Sequence, residues 1–174
     1  MASLALHRAC ISVVAVVCLL AAACTTAVEH PNGTPAAKNV ILFIGDGMGV
    51  STVTAIRIMD GQQKGMPGEE NSLSFERFPH LALSKTYAVN QQVGESAGTA
   101  TAIMSGQKTN AGLIGVSSEA TRRNCASARG QHLPSLLELS ESTRKSTGIV
   151  TTTRLTHATP AAAYAHTPER DWEN

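Results

Sequence analysis

A short glycine-rich turn places one carboxylate directly after an apolar run. Residues 39–44 (NVILFI) form that run, and Gly45-Asp46-Gly47-Met48-Gly49 follows it. Carboxylate oxygens are ligands that hard divalent cations prefer, and the end of a buried strand is a usual place for such a site. The turn does not fit a dinucleotide loop, because Val50 stands where G-x-G-x-x-G has its last glycine and Asp46 would repel a pyrophosphate. We interpret Asp46 as a metal ligand, with a cap on the following helix as the alternative.

A serine within G-x-S-x-G is the candidate nucleophile. Gly94-Glu95-Ser96-Ala97-Gly98 matches the nucleophile elbow of α/β-hydrolases, but that elbow needs an apolar strand leading into it. Here the approach, residues 90–93, reads NQQV, which is mostly polar. Ser96 instead precedes a predicted helix over residues 97–104, and a helix N-terminus favours phosphate. Three interpretations therefore stay open at this point: a nucleophile for phosphoryl transfer, a serine esterase, and a plain N-cap serine.

Predicted strands and helices alternate along the chain. Strands are expected at residues 39–44, 81–89, 113–116 and 148–153, and helices at 50–59, 97–104 and 134–145. This alternation predicts an α/β fold, a layered α/β/α sandwich with a mostly parallel sheet. In such sheets ligands bind beyond the carboxyl ends of the strands, where Asp46 lies.

Length and charge limit the function classes. The chain has 174 residues, 43% of them hydrophobic, which suits one globular domain. The chain has 14 Lys and Arg residues and 13 Asp and Glu residues, so it lacks the excess of positive charge that sequence-independent binding of nucleic acid requires. We therefore expect no nucleic-acid binding.

The N-terminal segment has the features of an export signal. A basic start (His7, Arg8) precedes an apolar run that ends in small residues, which predicts a signal peptide over residues 1–23 and a linker over 24–37. The run is shorter than the roughly 20 apolar residues of a membrane span. Leu20-Ala21-Ala22-Ala23-Cys24 resembles a bacterial lipobox, so Cys24 is a candidate lipid anchor, and ordinary cleavage before Cys24 or after Ala27 is the alternative. The mature protein is expected to be periplasmic, secreted or anchored by lipid.

Signal removal leaves one cysteine beyond Cys24. Cys125 is then either the half of a disulfide whose partner lies elsewhere or a buried, chemically idle thiol. The sequence does not choose between these two.

Four ordered motifs resemble the alkaline phosphatase family. The resemblance runs from about residue 38 to residue 174 and rests on NVILFIGDGMG (39–49), ESAGTATA (95–102), TTTRLTHATPA (151–161) and AHTPERDW (165–172). It implies metal-dependent hydrolysis of phosphate monoesters at alkaline pH through a phosphoserine, with two zinc ions and one magnesium ion.

The resemblance also implies a role for each matching residue. Asp46 would bridge zinc and magnesium, Ser96 would be both nucleophile and zinc ligand, and Thr159 would bind magnesium. His157 would lie near the magnesium, directly or through water, and Arg170 would bind the substrate phosphate. Without the resemblance, Thr159 before Pro160 is a typical helix start, and His157 and Arg170 fit ordinary polar surface roles. The family usually has Asp before the serine, where this chain has Glu95, and that acid is thought to steady the arginine.

The resemblance has three further implications. The family's remaining zinc ligands and a magnesium glutamate follow the arginine segment, so the chain is interpreted as the N-terminal part of a larger enzyme (residues 38–174). Cys125 matches a cysteine that pairs further along in animal-type members. Members are commonly homodimers. The alternatives are a serine esterase that uses Ser96 and an inactive, truncated, lipid-anchored product.

Overall fold

The computed structural model describes residues 37–173. The chain divides into two units, Met1–Phe43 and Ile44–Asn174. Residues 37–43 of the first unit are described, and they are extended or bent without a helix. The expected signal peptide (1–23), Cys24 and nearly all of the linker lie outside the described residues.

Five α-helices and one 3₁₀ helix follow in the second unit. The α-helices are α1 (Val50–Gln63), α2 (Ser96–Ser105), α3 (Cys125–Ala128), α4 (Leu136–Ser142) and α5 (Ala158–Ala161), and the 3₁₀ helix spans Ser74–Arg77. The three helices expected from sequence correspond to α1, α2 and α4, although α1 is longer and α4 shorter than expected. None of the helices formed by the described residues is long and apolar enough to span a membrane.

Side chains and glycine define where these helices begin and end. The Asn124 carboxamide accepts from the N–H groups of Ala126 and Ser127 at the start of α3. Ser135 and Glu138 form a capping box at the start of α4. Gly106 ends α2 in the left-handed conformation, with φ of 74°.

The predicted sheet is absent from the part of the chain that the structure describes. Only three isolated antiparallel bridges occur there, between Ala88 and Gln91, Ile114 and Thr167, and Val116 and His132. None of the four expected strands forms within residues 37–173, so the mostly parallel sheet is not confirmed there. The pattern of apolar and β-branched residues indicates what fits a sheet, but a strand also needs a neighbour for its backbone groups. Leu83 is 94% exposed and Val150 is fully exposed, as expected for segments without such a neighbour.

The core is built from small side chains around α2 and α5. Ala97 and Ala100 of α2 pack with Ile114 and with Ala158 and Ala161 of α5. Alanine at these positions allows two helix backbones to approach closely. A second cluster joins Leu113, Val116, Ala120 and Ala128. The close packing of α2 and α5 sets the distance between the residues at their N-terminal ends.

Candidate active site

A tight turn between residues 45 and 49 carries Asp46. Gly47 has a φ of +67°, a backbone conformation that residues other than glycine rarely adopt. Met48 N–H donates to the Gly45 carbonyl oxygen at 3.3 Å, which closes the turn. Helix α1 begins after Gly49 without any side-chain cap, so Asp46 is not a helix cap. Its carboxylate is free for another role.

Helix α2 presents Ser96 at its first position, and Glu95 caps it. The Glu95 carboxylate accepts from Ala97 N–H at 2.9 Å and from Gly98 N–H at 2.6 Å. The N-cap interpretation of Ser96 is therefore wrong, because Glu95 performs that function. The Ser96 hydroxyl instead donates to Asp46, at 2.9 Å from Oδ1 and 3.1 Å from Oδ2. The same cap occupies the N–H groups of Ala97 and Gly98, so these two cannot also hold a phosphate.

Helix α5 brings two further polar groups to Asp46. The Thr159 hydroxyl donates to Asp46 Oδ2 at 2.8 Å. Thr159 lies in the first turn of α5, whose N-cap is His157, so Thr159 belongs to a helix start as its sequence context indicates but does not cap the helix. The Nδ1 atom of His157 lies 3.9 Å from Asp46 Oδ2, and it is buried without a hydrogen-bond partner. We call Asp46, Ser96, His157 and Thr159 the Asp46 cluster.

The cluster keeps Asp46 ionised. The hydrogen bond from Thr159 makes the largest contribution and lowers the pKa of Asp46. Partial burial raises this pKa, but the Ser96 hydroxyl and nearby positive charge lower it further, so that it lies below its ordinary value. An acid of lowered pKa is a weak base for the serine proton and a good ligand for a cation.

Arg170 is held beside the start of α2. Its Nη1 atom donates to Glu95 Oε2 at 2.6 Å, and its side chain is 25% exposed, so it is not a solvated surface group. Arg170 N–H donates to the Gly112 carbonyl oxygen at 2.9 Å, and Gly112 N–H donates to Glu95 Oε1 at 3.0 Å. Burial raises the pKa of Glu95. The hydrogen bonds that its carboxylate accepts from backbone N–H groups and from the Arg170 guanidinium lower this pKa by more, so that it lies below its ordinary value. Glu95 therefore stays charged and fixes the arginine.

The structure thus brings together the residues that were expected to act together. Asp46, Ser96, His157 and Thr159 form direct or near contacts, and Arg170 joins them through Glu95, which precedes Ser96. Gly112 also belongs to this site, because its backbone contacts both Glu95 and Arg170, and no residue pattern in the sequence indicates it. Cys125 is exposed, so the buried-thiol interpretation is wrong, and within residues 37–173 it forms no disulfide.

The donor set of the Asp46 cluster fits a divalent cation. A carboxylate and two hydroxyls supply oxygen, and the orphaned His157 Nδ1 faces the same carboxylate. A buried nitrogen without a partner is costly unless a ligand satisfies it. Within residues 37–173, however, no group of three or more His, Cys, Asp and Glu side chains lies together. These donors would therefore supply only part of the ligand set that a metal centre needs.

Comparisons with known proteins agree with this geometry. The family model described as alkaline phosphatase matches residues 37–174. The chain belongs to the alkaline phosphatase family. It is 57% identical over 136 residues to the tissue-nonspecific alkaline phosphatase of Gallus gallus, a match that covers 78% of this chain and 26% of that protein. The corresponding human isozyme is 56% identical over 139 residues, with 80% and 26% covered. The chain thus spans about a quarter of the length of these curated relatives.

Solved structures support an alkaline phosphatase-like fold. The alkaline phosphatase of the Antarctic bacterium TAB5 matches with a TM-score of 0.59 and 30% identity, covering 74% of this chain and 32% of that one. A cold-active alkaline phosphatase from Shewanella sp. matches with a TM-score of 0.60 and 28% identity, covering 74% and 29%. The backbone of the described residues therefore follows a path similar to that of these solved alkaline phosphatases, although the described residues form no sheet.

Proposed function

We propose that this chain contributes the nucleophile side of an enzyme that hydrolyses phosphate monoesters with bound metal ions at alkaline pH, through phosphoserine at Ser96. The observation that carries the proposal is the Asp46 cluster, in which Ser96 and Thr159 both donate to one carboxylate from two different helices. Membership of the alkaline phosphatase family supports the same chemistry.

Asp46, Ser96, Thr159 and His157 are the proposed metal-binding residues. Zinc and magnesium are the proposed ions, and structures of TAB5 alkaline phosphatase variants are described with Mg bound in the M3 site of that enzyme. When bound, such ions lower the pKa of a coordinated hydroxyl and stabilise negative charge on phosphate oxygens.

The chain's own residues orient the reaction. Asp46 and the packing of α2 fix the Ser96 Oγ atom, which attacks phosphorus while the alcohol leaves on the opposite side. The ionised Asp46 has a lowered pKa and is a poor acceptor for the serine proton, so its role beside Ser96 would be to hold a cation. Arg170 has one Nη atom on Glu95, and the remaining N–H groups of its guanidinium can bind phosphate oxygens. Water then hydrolyses the phosphoserine and restores the serine.

The serine-esterase alternative has less support. An esterase elbow places the serine after a strand and within reach of a histidine. Here residues 89–92 form turns and a single bridge, and the Ser96 hydroxyl bonds to a carboxylate. The proposal also includes phosphate monoesters as substrates and a homodimer, which rest on the resemblance to the family. It includes export to the periplasm or beyond and a lipid anchor at Cys24, which rest on the N-terminal sequence.

Phosphate trapping tests the nucleophile. Residues 38–173 replace the matching segment of the Gallus gallus isozyme, and the hybrid is incubated with labelled phosphate, zinc and magnesium and then quenched in acid. We expect label on Ser96 and none in the Ser96→Ala hybrid. Ser105→Ala is the matched control, since Ser105 lies at the far end of α2, where its hydroxyl donates to the Thr101 carbonyl oxygen and accepts from Gln107 N–H. Label retained on a serine in the Ser96→Ala hybrid would show that Ser96 is not the nucleophile.

A further inference from the structure

A fully buried carboxylate lies next to Arg170 in the chain. Glu169 has no exposed surface. It accepts from Arg122 Nε at 3.0 Å and Nη2 at 2.7 Å, and from Arg123 Nε at 2.5 Å. Asp171 N–H also donates to it at 3.3 Å. A buried charge with this many partners is stable in one geometry and costly to disturb.

The two arginines come from a loop that is itself fixed. Arg123 has a φ of +63°, which is uncommon for a residue other than glycine, and its N–H donates to the Pro168 carbonyl oxygen at 2.9 Å. The loop is therefore tied to residues 168–171 by backbone and side-chain bonds together. Arg170 lies in the middle of this tied segment.

Arg122 also connects the buried carboxylate to Gly112. A Cβ atom built on Gly112 would lie 2.4 Å from Arg122 Nε, so the guanidinium packs directly against the glycine backbone. Gly112 in turn accepts from the Arg170 N–H and donates to Glu95. A continuous path of contacts thus runs from Glu169 through Arg122 and Gly112 to both ends of Arg170.

We propose that Glu169 is a positioning residue for Arg170: by binding Arg122 and Arg123 it fixes the backbone from which the phosphate-binding guanidinium reaches Glu95. This inference rests on the proposed function in so far as Arg170 binds phosphate. The hydrogen bonds that the Glu169 carboxylate accepts come from Arg122, Arg123 and the Asp171 N–H, and among the described residues none comes from the Asp46 cluster. The action of Glu169 is to limit the freedom of Arg170 before phosphate arrives.

Hydrogen exchange of the Arg170 amide in the full 174-residue chain tests the proposal. In Glu169→Gln we expect this amide to exchange about tenfold faster or more, since the hydrogen bonds from Arg122 and Arg123 lose their charged acceptor. The amides of α2 should keep their rates, whereas a loss of overall stability would speed both. Glu76→Gln is the matched control, because Glu76 also binds one arginine, Arg57, and one backbone N–H, that of Leu73, at a distant place. An unchanged Arg170 rate in Glu169→Gln overturns the proposal.

A spectroscopic signature separates positioning from folding. The Arg170 guanidinium resonances report its ion pair with Glu95, and we expect them to broaden or shift in Glu169→Gln while α2 resonances stay in place. Should Glu169→Gln fail to fold, Arg123→Gln decides, because Arg123 is 68% exposed and supplies only one of the bonds. There the Arg170 amide should exchange about threefold faster or more, and an unchanged rate contradicts the proposal. Neither measurement needs catalysis, so a failure of phosphate trapping at Ser96 would refute the proposed function and leave this result standing.

Discussion

The Thr159 hydroxyl donates to Asp46 Oδ2 at 2.8 Å, although the two residues are 113 positions apart in the chain. The contact depends on the small-residue packing of α2 and α5, which brings Ser96 and Thr159 to the same carboxylate. A single acid thus receives hydroxyls from two helices. Its lowered pKa suits the proposed role of cation ligand better than that of a base.

Replacement of this acid should weaken metal binding more than folding. Asp46→Asn keeps the size and one acceptor oxygen but removes the charge, so in the hybrid enzyme we expect metal affinity to fall by more than about tenfold. The unfolding free energy should change by only about 0.5 kcal/mol, since the side chain is partly exposed. Bound zinc and magnesium are measured after dialysis, with the melting temperature beside them.

Asp60→Asn is the control for that comparison. Asp60 also accepts two side-chain hydrogen bonds, from Lys64 and Asn71, but it lies in α1 away from the cluster. The Asp60→Asn hybrid enzyme should retain its zinc and magnesium. Full metal content in Asp46→Asn, together with a large fall in melting temperature, would support a structural role for Asp46 instead.

The sequence motifs indicated residues that lie close together in the structure, whereas the predicted sheet does not form within residues 37–173. Asp46, Ser96, Thr159 and Arg170 were chosen from short motifs, and the geometry brings them together because each stands at the start of a helix or beside one. The sheet was predicted but does not form among the described residues. Apolar runs such as residues 148–153 indicate burial and strand propensity, but they do not show which backbone segment would pair with them. Gly112 and Glu169 were missed because their roles come from contacts across the fold, with Glu95 and with Arg122, that no local pattern records.

Glu169 should make the stability of the chain depend on acid pH. The hydrogen bonds from Arg122 lower the pKa of Glu169 to about 2, against about 4.5 in the unfolded chain. Because the folded pKa is the lower one, the stabilisation is complete above about pH 4.5 and is lost as the pH falls toward 2. We expect a loss of about 3 kcal/mol over this range. Urea unfolding between these pH values measures it, and a Glu169→Gln chain with the same slope would exclude Glu169 as the source.

Gly112→Ala should destabilise the chain through Arg122. Gly112 has a φ of +83°, and an added Cβ would lie 2.4 Å from Arg122 Nε. Gly130 is the matched control, because its φ is +74° and nothing lies within 4 Å of an added Cβ. We expect Gly130→Ala to cost about 1 kcal/mol and Gly112→Ala about 2–3 kcal/mol. Equal losses in thermal unfolding would show that Arg122 yields without cost and that Gly112 matters only for its backbone angle.

A polypeptide of residues 28–174 on its own should hydrolyse phosphate monoesters very slowly. Catalytic zinc usually has three protein ligands, and Asp46 and His157 are the two side chains of the cluster that offer a charge or an imidazole. No other His, Cys, Asp or Glu completes a set of three within residues 37–173. Turnover should be more than about a hundredfold below that of the hybrid enzyme, since charge stabilisation by metal ions is worth several kcal/mol. A chromogenic phosphomonoester assayed at alkaline pH with zinc and magnesium measures this, and the hybrid is the positive control. Rapid, chelator-sensitive turnover by the isolated polypeptide would mean that it completes its metal site in another way, for instance between two copies.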